Sequence, residues 1–158
     1  MTVDVSTHIE MGVPRERVAE FAMDPENATS WYENIKSVKW QTPKPLAVGS
    51  RFEFVAQFLG RRLAYTYEVR ELAPGSRYVM ATSEGPFPME TSYVWEDTRS
   101  GGTRMTLRNR GEPSGFSRVA GPLMARAMHR ANTKDLKRLK AILEAGEHPS
   151  GRRTAERL

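Results

Sequence analysis

Between Arg51 and Arg108 this chain alternates apolar and polar residues through one short run after another, with only a few residues between runs. Parallel neighbours need a crossover of about a dozen residues or more, so successive runs this close together form antiparallel strands. Phe52, Phe54, Ala56 and Phe58 share one parity, opposite Arg51, Glu53, Val55 and Gln57. After a turn at Gly60, Leu63, Tyr65, Tyr67 and Val69 share a face, opposite Arg62, Ala64, Thr66, Glu68 and Arg70. Pro74-Gly75 makes the next turn, and Tyr78 to Thr82 another strand. The Gly85-Pro86-Phe87-Pro88 segment leads to Met89, Thr91, Tyr93 and Trp95. Asp97 to Gly102 is rich in turn residues, and Thr103, Met105 and Leu107 alternate beyond it.

The flanks supply the helices. Val3, Val5, Thr7, Ile9 and Met11 alternate with charged and polar residues, which predicts a first strand ending at Gly12. Pro14 then opens a short helix whose stripe is Val18, Phe21 and Ala22 and which stops near Met23-Asp24. Asp24 followed by Pro25 predicts the N-cap of a second short helix over about 25–32. Ile35, Val38 and Trp40 suggest a second strand with an irregularity, before Pro43, Pro45 and Gly49 forbid regular structure. After a break at Gly111–Gly115, Val119, Leu123, Ala127, Ala131, Leu136, Leu139 and Leu143 trace a helical stripe that Met124 and Met128 widen. Arg126, Arg130, Lys137 and Lys140 fall on its wet side, and the helix begins or kinks at Pro122. The expectation is an α+β fold: a curved antiparallel sheet of about seven strands around a long C-terminal helix, with two short helices after the first strand. One domain over 1–145 is expected, followed by a disordered basic tail over 146–158 with too little apolar surface to order itself.

Composition narrows the chemistry. There is no cysteine among the 158 residues, which removes disulfides, thiol nucleophiles and thiolate metal sites and agrees with a reducing compartment. The charged, alternating N-terminus is no signal peptide, so a cytoplasmic protein is expected. No apolar run approaches spanning length, so integral membrane association is not. The net charge of +5 sits at one end: from Arg118 to Leu158 there are ten Lys and Arg against four Asp and Glu. Without aromatic–basic interleaving or a nucleic-acid motif, that surplus reads as a solvated helix face and tail, and no nucleic-acid partner is expected. His8, His129 and His148 have no metal-site spacing, the glycines sit at turns, and no serine occupies a strand-to-helix elbow. Neither a metal nor a cofactor is expected.

The middle strands carry more than a simple sheet cover requires. Phe52, Phe54, Phe58, Tyr65, Tyr67, Met80, Met89, Tyr93, Trp95 and Met105 offer large, adaptable apolar surface. A sheet curled around one helix leaves a void where the helix cannot follow it, and buried tyrosine hydroxyls there need partners that a ligand or water can supply. Tyr65, Tyr67 and Tyr93 are the candidate donors to a carbonyl or phenolate. Asn109 shares the Met105–Leu107 face near its strand's end, whereas Glu90 and Arg108 point the other way and Arg110 sits toward a rim. His8 belongs to the surface, and His129 lies beside Met128. No side chain stands out as a catalytic acid or base.

Four stretches carry a family resemblance: the opening VDVSTHIEMGVPRERVAEFAMDPENATSWYENIKSV, the central VGSRFEF, the YEVRELAPGSRYVM segment, and GGTRMTLRNR followed by a terminal helix. Over roughly residues 2–145 the chain resembles the helix-grip fold of the START/Bet v 1-like (SRPBCC) superfamily, and more narrowly its bacterial polyketide cyclase/dehydrase and lipid-transport group. That resemblance implies a deep cavity between sheet and terminal helix, holding lipids, sterols, plant metabolites or aromatic polyketides. Carried over by position, the cavity involves Trp31, Phe54, Phe58, Tyr65, Tyr67, Met80, Tyr93, Trp95, Met105, Met124 and Met128. The polar set that aromatic polyketide cyclases use is not convincing at those positions. Binding or transport of a small hydrophobic molecule, lipid-like or aromatic, is therefore the first reading. A cyclase or dehydratase acting in the same cavity is the alternative, and a protein-interaction role needing an exposed apolar patch or a partner for the basic helix is the third. A homodimer is left open. The Gly85–Pro88 loop, the region around Tyr32 and the Ser114–Pro122 segment are the expected cavity mouth.

Overall fold

Seven strands pair in the order β1-β7-β6-β5-β4-β3-β2, every pair antiparallel. They are β1 (Val3–Met11), β2 (Ile35–Trp40), β3 (Arg51–Phe58), β4 (Arg61–Ala73), β5 (Arg77–Glu84), β6 (Met89–Asp97) and β7 (Thr103–Gly111). The helices are α1 (Arg15–Met23), α2 (Ala28–Trp31), which a 3-10 turn at Pro25–Asn27 precedes, and α3 (Gly121–Glu147). This computed structural model describes residues 3–58, 60–85, 88–112 and 121–147. The expected tail from His148 onward and most of the expected Ser114–Pro122 mouth segment lie outside the described residues. Strands β2 to β7 form a meander, and β1 returns to close it beside β7. The arrangement is the α+β helix grip expected from the sequence.

Local chemistry explains the element boundaries. Pro14 caps α1 in an extended conformation, and Asp24 Oδ1 accepts the Glu26 N–H at 2.9 Å with Pro25 at the first position of its turn. The irregularity in β2 is a register shift between Ile35 and Ser37. Two more shifts interrupt the β4–β5 pairing, at Thr66/Tyr67 and at Val69/Glu71. Such irregularities bend a strand and raise its twist, which is how a long β4 serves both neighbours of a curved sheet.

Successive strands set side chains in rows on the buried face. Tyr78, Tyr93, Leu107 and Thr7 stand opposite one another across β5, β6, β7 and β1, and Trp95, Met105 and Ile9 make the next row. Trp31, fully buried at the end of α2, stacks near Tyr93 with ring centroids 5.8 Å apart. Thr103 Oγ1 donates to the Val13 carbonyl at 2.6 Å and fastens the chain leaving β1 to the start of β7. Charged pairs on the outer face, among them Arg108–Asp4 and Arg110–Glu90, are solvated and contribute little.

Helix α3 is fixed by its C-terminal half. Lys140 Nζ donates to the Glu10 carbonyl at 3.0 Å, and the Glu144 carboxylate accepts the Gly12 N–H at 2.9 Å. The buried face of the helix is Met124, Met128, Asn132, Asp135, Leu136, Leu139 and Leu143. The expected stripe is therefore displaced by one position in its first half: Leu123 is 62% exposed, and Val119 lies outside the described residues. A search for apolar residues misses the displacement because Asn132 and Asp135, two of the inward positions, are polar.

Gly102 tests the closure of the β6–β7 hairpin on the end of β1. A Cβ there is driven into the Met11 carbonyl, whereas one on Gly146 of α3 meets nothing. Gly102→Ala is expected to lose about 1–3 kcal/mol in denaturant titrations. Gly146→Ala is expected to be neutral or to gain up to about 1 kcal/mol.

Candidate functional site

A cavity of about 120 Å³ lies between the buried face of the sheet and the first half of α3. Its floor follows from the register. Met80, Thr91 and Asn109 stand opposite one another on β5, β6 and β7, while Phe54 faces Tyr65 and Ala56 faces Leu63 across β3 and β4. Tyr67 and Met89 complete that side. The roof is Met128, Ala131, Asn132 and Asp135, spaced so that one face of the helix presents all four. Tyr32 and Asn34, from the link between α2 and β2, and Ile35, the first residue of β2, close one end. The volume is close to that of cavities that admit one benzene-sized molecule, and below the range of about 300–1,000 Å³ usual for drug-sized ligands.

Of the residues expected to bind ligand, Phe54, Tyr65, Tyr67, Met80 and Met128 lie in this wall. Trp31, Tyr93, Trp95, Met105 and Met124 are buried in the packed core and are not part of it. All five point inward, but Tyr93, Trp95 and Met105 sit in rows farther along their strands, and Trp31 is itself the cover over Tyr93. The side chain of Phe58 lies outside the described residues, as do Pro86 and Phe87 of the expected mouth. His8 and His129 are exposed, and His148 is outside the described residues. Among the described residues, no group of three His, Asp or Glu side chains is placed to hold a metal ion, and no helix is long and apolar enough to cross a membrane.

The polar part of the wall is richer than the sequence suggested. Thr91 Oγ1 donates to Asn109 Oδ1 at 2.7 Å. The Tyr67 hydroxyl also pairs with Thr91, a contact that lowers the phenol's pKa against the effect of burial. Burial pushes the Tyr67 phenol up to about 12, so it stays neutral. The hydroxyls of Tyr32 and Tyr93 lie 2.7 Å apart, and burial holds both well above the ordinary phenol range. Asp135 Oδ1 accepts the Glu33 N–H at 3.0 Å, tying the residues after α2 to α3. Asn132 Nδ2 is buried with no hydrogen-bond partner, an arrangement that costs about 1–3 kcal/mol when nothing fills it.

Asp135 is the group of this wall poised to change charge near neutrality. It is 2% exposed, and burial, reinforced by the nearby Glu33 carboxylate, raises its carboxyl to about 6. The Glu33 N–H, Arg138 and Lys134 oppose the rise without cancelling it. Two signals in the sequence point to this group. Asn132 and Asp135 follow Met128 at helical spacings of four and seven, and Asn109 has the parity of Met105 and Leu107.

The shift has a testable sign. Between about pH 4 and pH 6 the folded protein holds a proton on Asp135 that the unfolded chain has released, so its contribution to stability falls as pH rises through that window. Asp135→Asn keeps an acceptor for the Glu33 N–H and removes the titration. The stability of the variant relative to the parent is expected to rise by up to about 3 kcal/mol from pH 4 to pH 7 in urea titrations. A difference that does not vary with pH overturns the assignment.

Comparison with known proteins agrees with this geometry. Solved structures share the fold at low identity. The protein TTHA0849 from Thermus thermophilus is 22% identical, with a TM-score of 0.75 over 90% of this chain and 98% of that one. A START superfamily protein from Mycobacterium smegmatis is 17% identical, with a TM-score of 0.78 over 90% and 97%. The ZhuI aromatase/cyclase from a Streptomyces species is 13% identical, with a TM-score of 0.80 over 96% and 99%. No curated protein sequence matches the chain. The sequence model described as polyketide cyclase/dehydrase and lipid transport matches residues 2–144. The chain belongs to that family, within the START-like superfamily.

Proposed function

We propose that the chain binds or carries a small, mostly apolar molecule in the cavity beneath α3. The observation that supports this best is a space between sheet and helix whose floor is the buried side chains of Phe54, Leu63, Met80 and Met89, the methionines among them able to adapt to a guest. Burying roughly 200 Å² of apolar ligand surface at about 25 cal/mol per Å² contributes about 5 kcal/mol. Before the entropy cost of association, that corresponds to a dissociation constant of the order of 0.2 mM. Useful affinity thus needs a polar contact as well.

Native mass spectrometry of gently purified protein, followed by identification of any released molecule, tests the reading. A stoichiometric hydrophobic ligand is expected. Ala131→Phe, which projects a ring from α3 into the cavity, is expected to weaken binding about tenfold or more while the thermal transition stays near that of the parent. Protein that is empty and blind to a panel of lipids and aromatic polyketides would sink the proposal.

A second reading, cyclisation or dehydration of the bound molecule, is favoured by Asp135. Loss of water needs a group that protonates the departing hydroxyl and one that takes a proton from carbon, and a carboxyl near pH 6 does either at modest cost. Similarity to an aromatase/cyclase supports the same fold and no more. If this reading holds, Asp135→Asn lowers turnover about 100-fold or more while ligand affinity is retained. Turnover that survives the substitution removes Asp135 from the chemistry.

A further inference from the structure

Helix α3 gathers the basic surplus of the C-terminal part of the chain onto one face. Counted at about 100° per residue, Arg126, Arg130, Lys134, Lys137 and Arg138 fall within one arc of about 120°, and Leu123 falls inside it. All six side chains are exposed. The buried residues of the helix, from Met124 to Leu143, occupy the opposite arc. Between Gly121 and Leu143 the helix has one acid, Asp135, and it is buried. Lys134 meets Glu33 of the neighbouring link at 3.5 Å, a solvated contact. Arg126, Arg130, Lys137 and Arg138 form no ion pair among the described residues. The outcome is a row of cations, about 22 Å long with Leu123 at its first turn.

We propose that this outer face of α3 docks on the surface of an anionic lipid bilayer, with Leu123 entering the headgroup boundary. Charge complementarity calls for an anionic partner. Each Lys or Arg held close to such a bilayer raises the partition roughly fivefold, so a row of five outweighs the single Glu33 beside it. The apolar content of the face chooses among anionic partners. A protein interface has a desolvated core of several apolar anchors, and Leu123 is the one large apolar side chain exposed here. The other among the described residues, Val48, belongs to the link between β2 and β3. Nucleic-acid recognition adds stacked aromatics or amide side chains on base edges, and the arc holds no aromatic, Asn or Gln. A bilayer asks for less. Its charge is spread over a plane, which flexible cations and one apolar side chain meet without a matched contour.

Co-sedimentation with vesicles at physiological ionic strength, with no cavity ligand added, tests the docking apart from the carrier reading. Vesicles of phosphatidylcholine with a quarter phosphatidylglycerol are expected to bind the protein, and phosphatidylcholine alone to bind it about 100-fold more weakly or not at all. Combining Arg126→Gln, Arg130→Gln and Lys137→Gln is expected to lower the partition on the mixed vesicles about 100-fold. Arg51→Gln, Arg62→Gln and Arg70→Gln together remove the same net charge from exposed positions on the outer face of the sheet. That variant is expected to change the partition less than about threefold, because its face stands farther from the docked surface than the Debye length of about 8 Å. Leu123→Ala is expected to weaken vesicle binding about tenfold and to leave binding to poly-glutamate unchanged. Parent protein that ignores the mixed vesicles overturns the proposal. So does an equal loss in the two triple variants, an unchanged partition in the α3 variant, or a Leu123→Ala partition equal to the parent's. Tighter binding to poly-glutamate or duplex DNA than to vesicles, at equal negative charge, overturns it as well and transfers the face to an acidic protein or a nucleic acid.

Discussion

The fixing of α3 at one end governs the rest of the site. The Glu144 carboxylate on the Gly12 N–H and the Lys140 ammonium on the Glu10 carbonyl hold the C-terminal half of the helix to the end of β1. Leu136, Leu139 and Leu143 bury the same half. A straight helix held there cannot follow a bent sheet along its whole length. The separation opens beneath Met128, Ala131, Asn132 and Asp135, and the cavity is that separation.

Polar groups placed in such a space behave differently from the same groups in water. The tyrosines are neutral hydrogen-bonding fixtures, and burial moves phenolate formation still further above the physiological range. Asp135 moves the other way in usefulness: burial brings its titration toward neutrality, and the same carboxyl holds Glu33, hence the residues between α2 and β2 that line the cavity. Asn132 retains an unmet donor. The last two arrangements are unfavourable for folding, and groups of this kind concentrate where a protein binds or transforms something.

Family membership explains the architecture, and it leaves the chemistry of this member to its cavity wall. A fold of this sort hosts binding proteins and enzymes alike, so its chemistry resides in the few side chains that reach the guest. Here they come from six strands, one helix and one link, with Thr91 and Asn109 meeting only because β6 and β7 pair in the observed register. The core residues beside them, Tyr93, Trp95 and Met105, are just as aromatic or adaptable but are already packed.

Strand parity, turn residues and the Asp24-Pro25 cap were legible in the chain because each is decided by neighbours within a few residues. Those local rules placed Phe54, Tyr65, Tyr67, Met80 and Met128 facing inward, and placed Tyr93, Trp95 and Met105 inward just as firmly. Which of them meet open space depends on how far along each strand Trp31 and α3 extend, and that is a long-range contact. The same limit displaced the reading of α3. A stripe sought among apolar residues passed through Leu123, while the helix turns Asn132 and Asp135 inward because its pinned C-terminal leucines set the rotation of the whole rod. The sequence by itself determined the strands with the face each buries, and the existence of the helices. Only the tertiary structure decided where the sheet and helix part, and so which buried polar groups a ligand can meet.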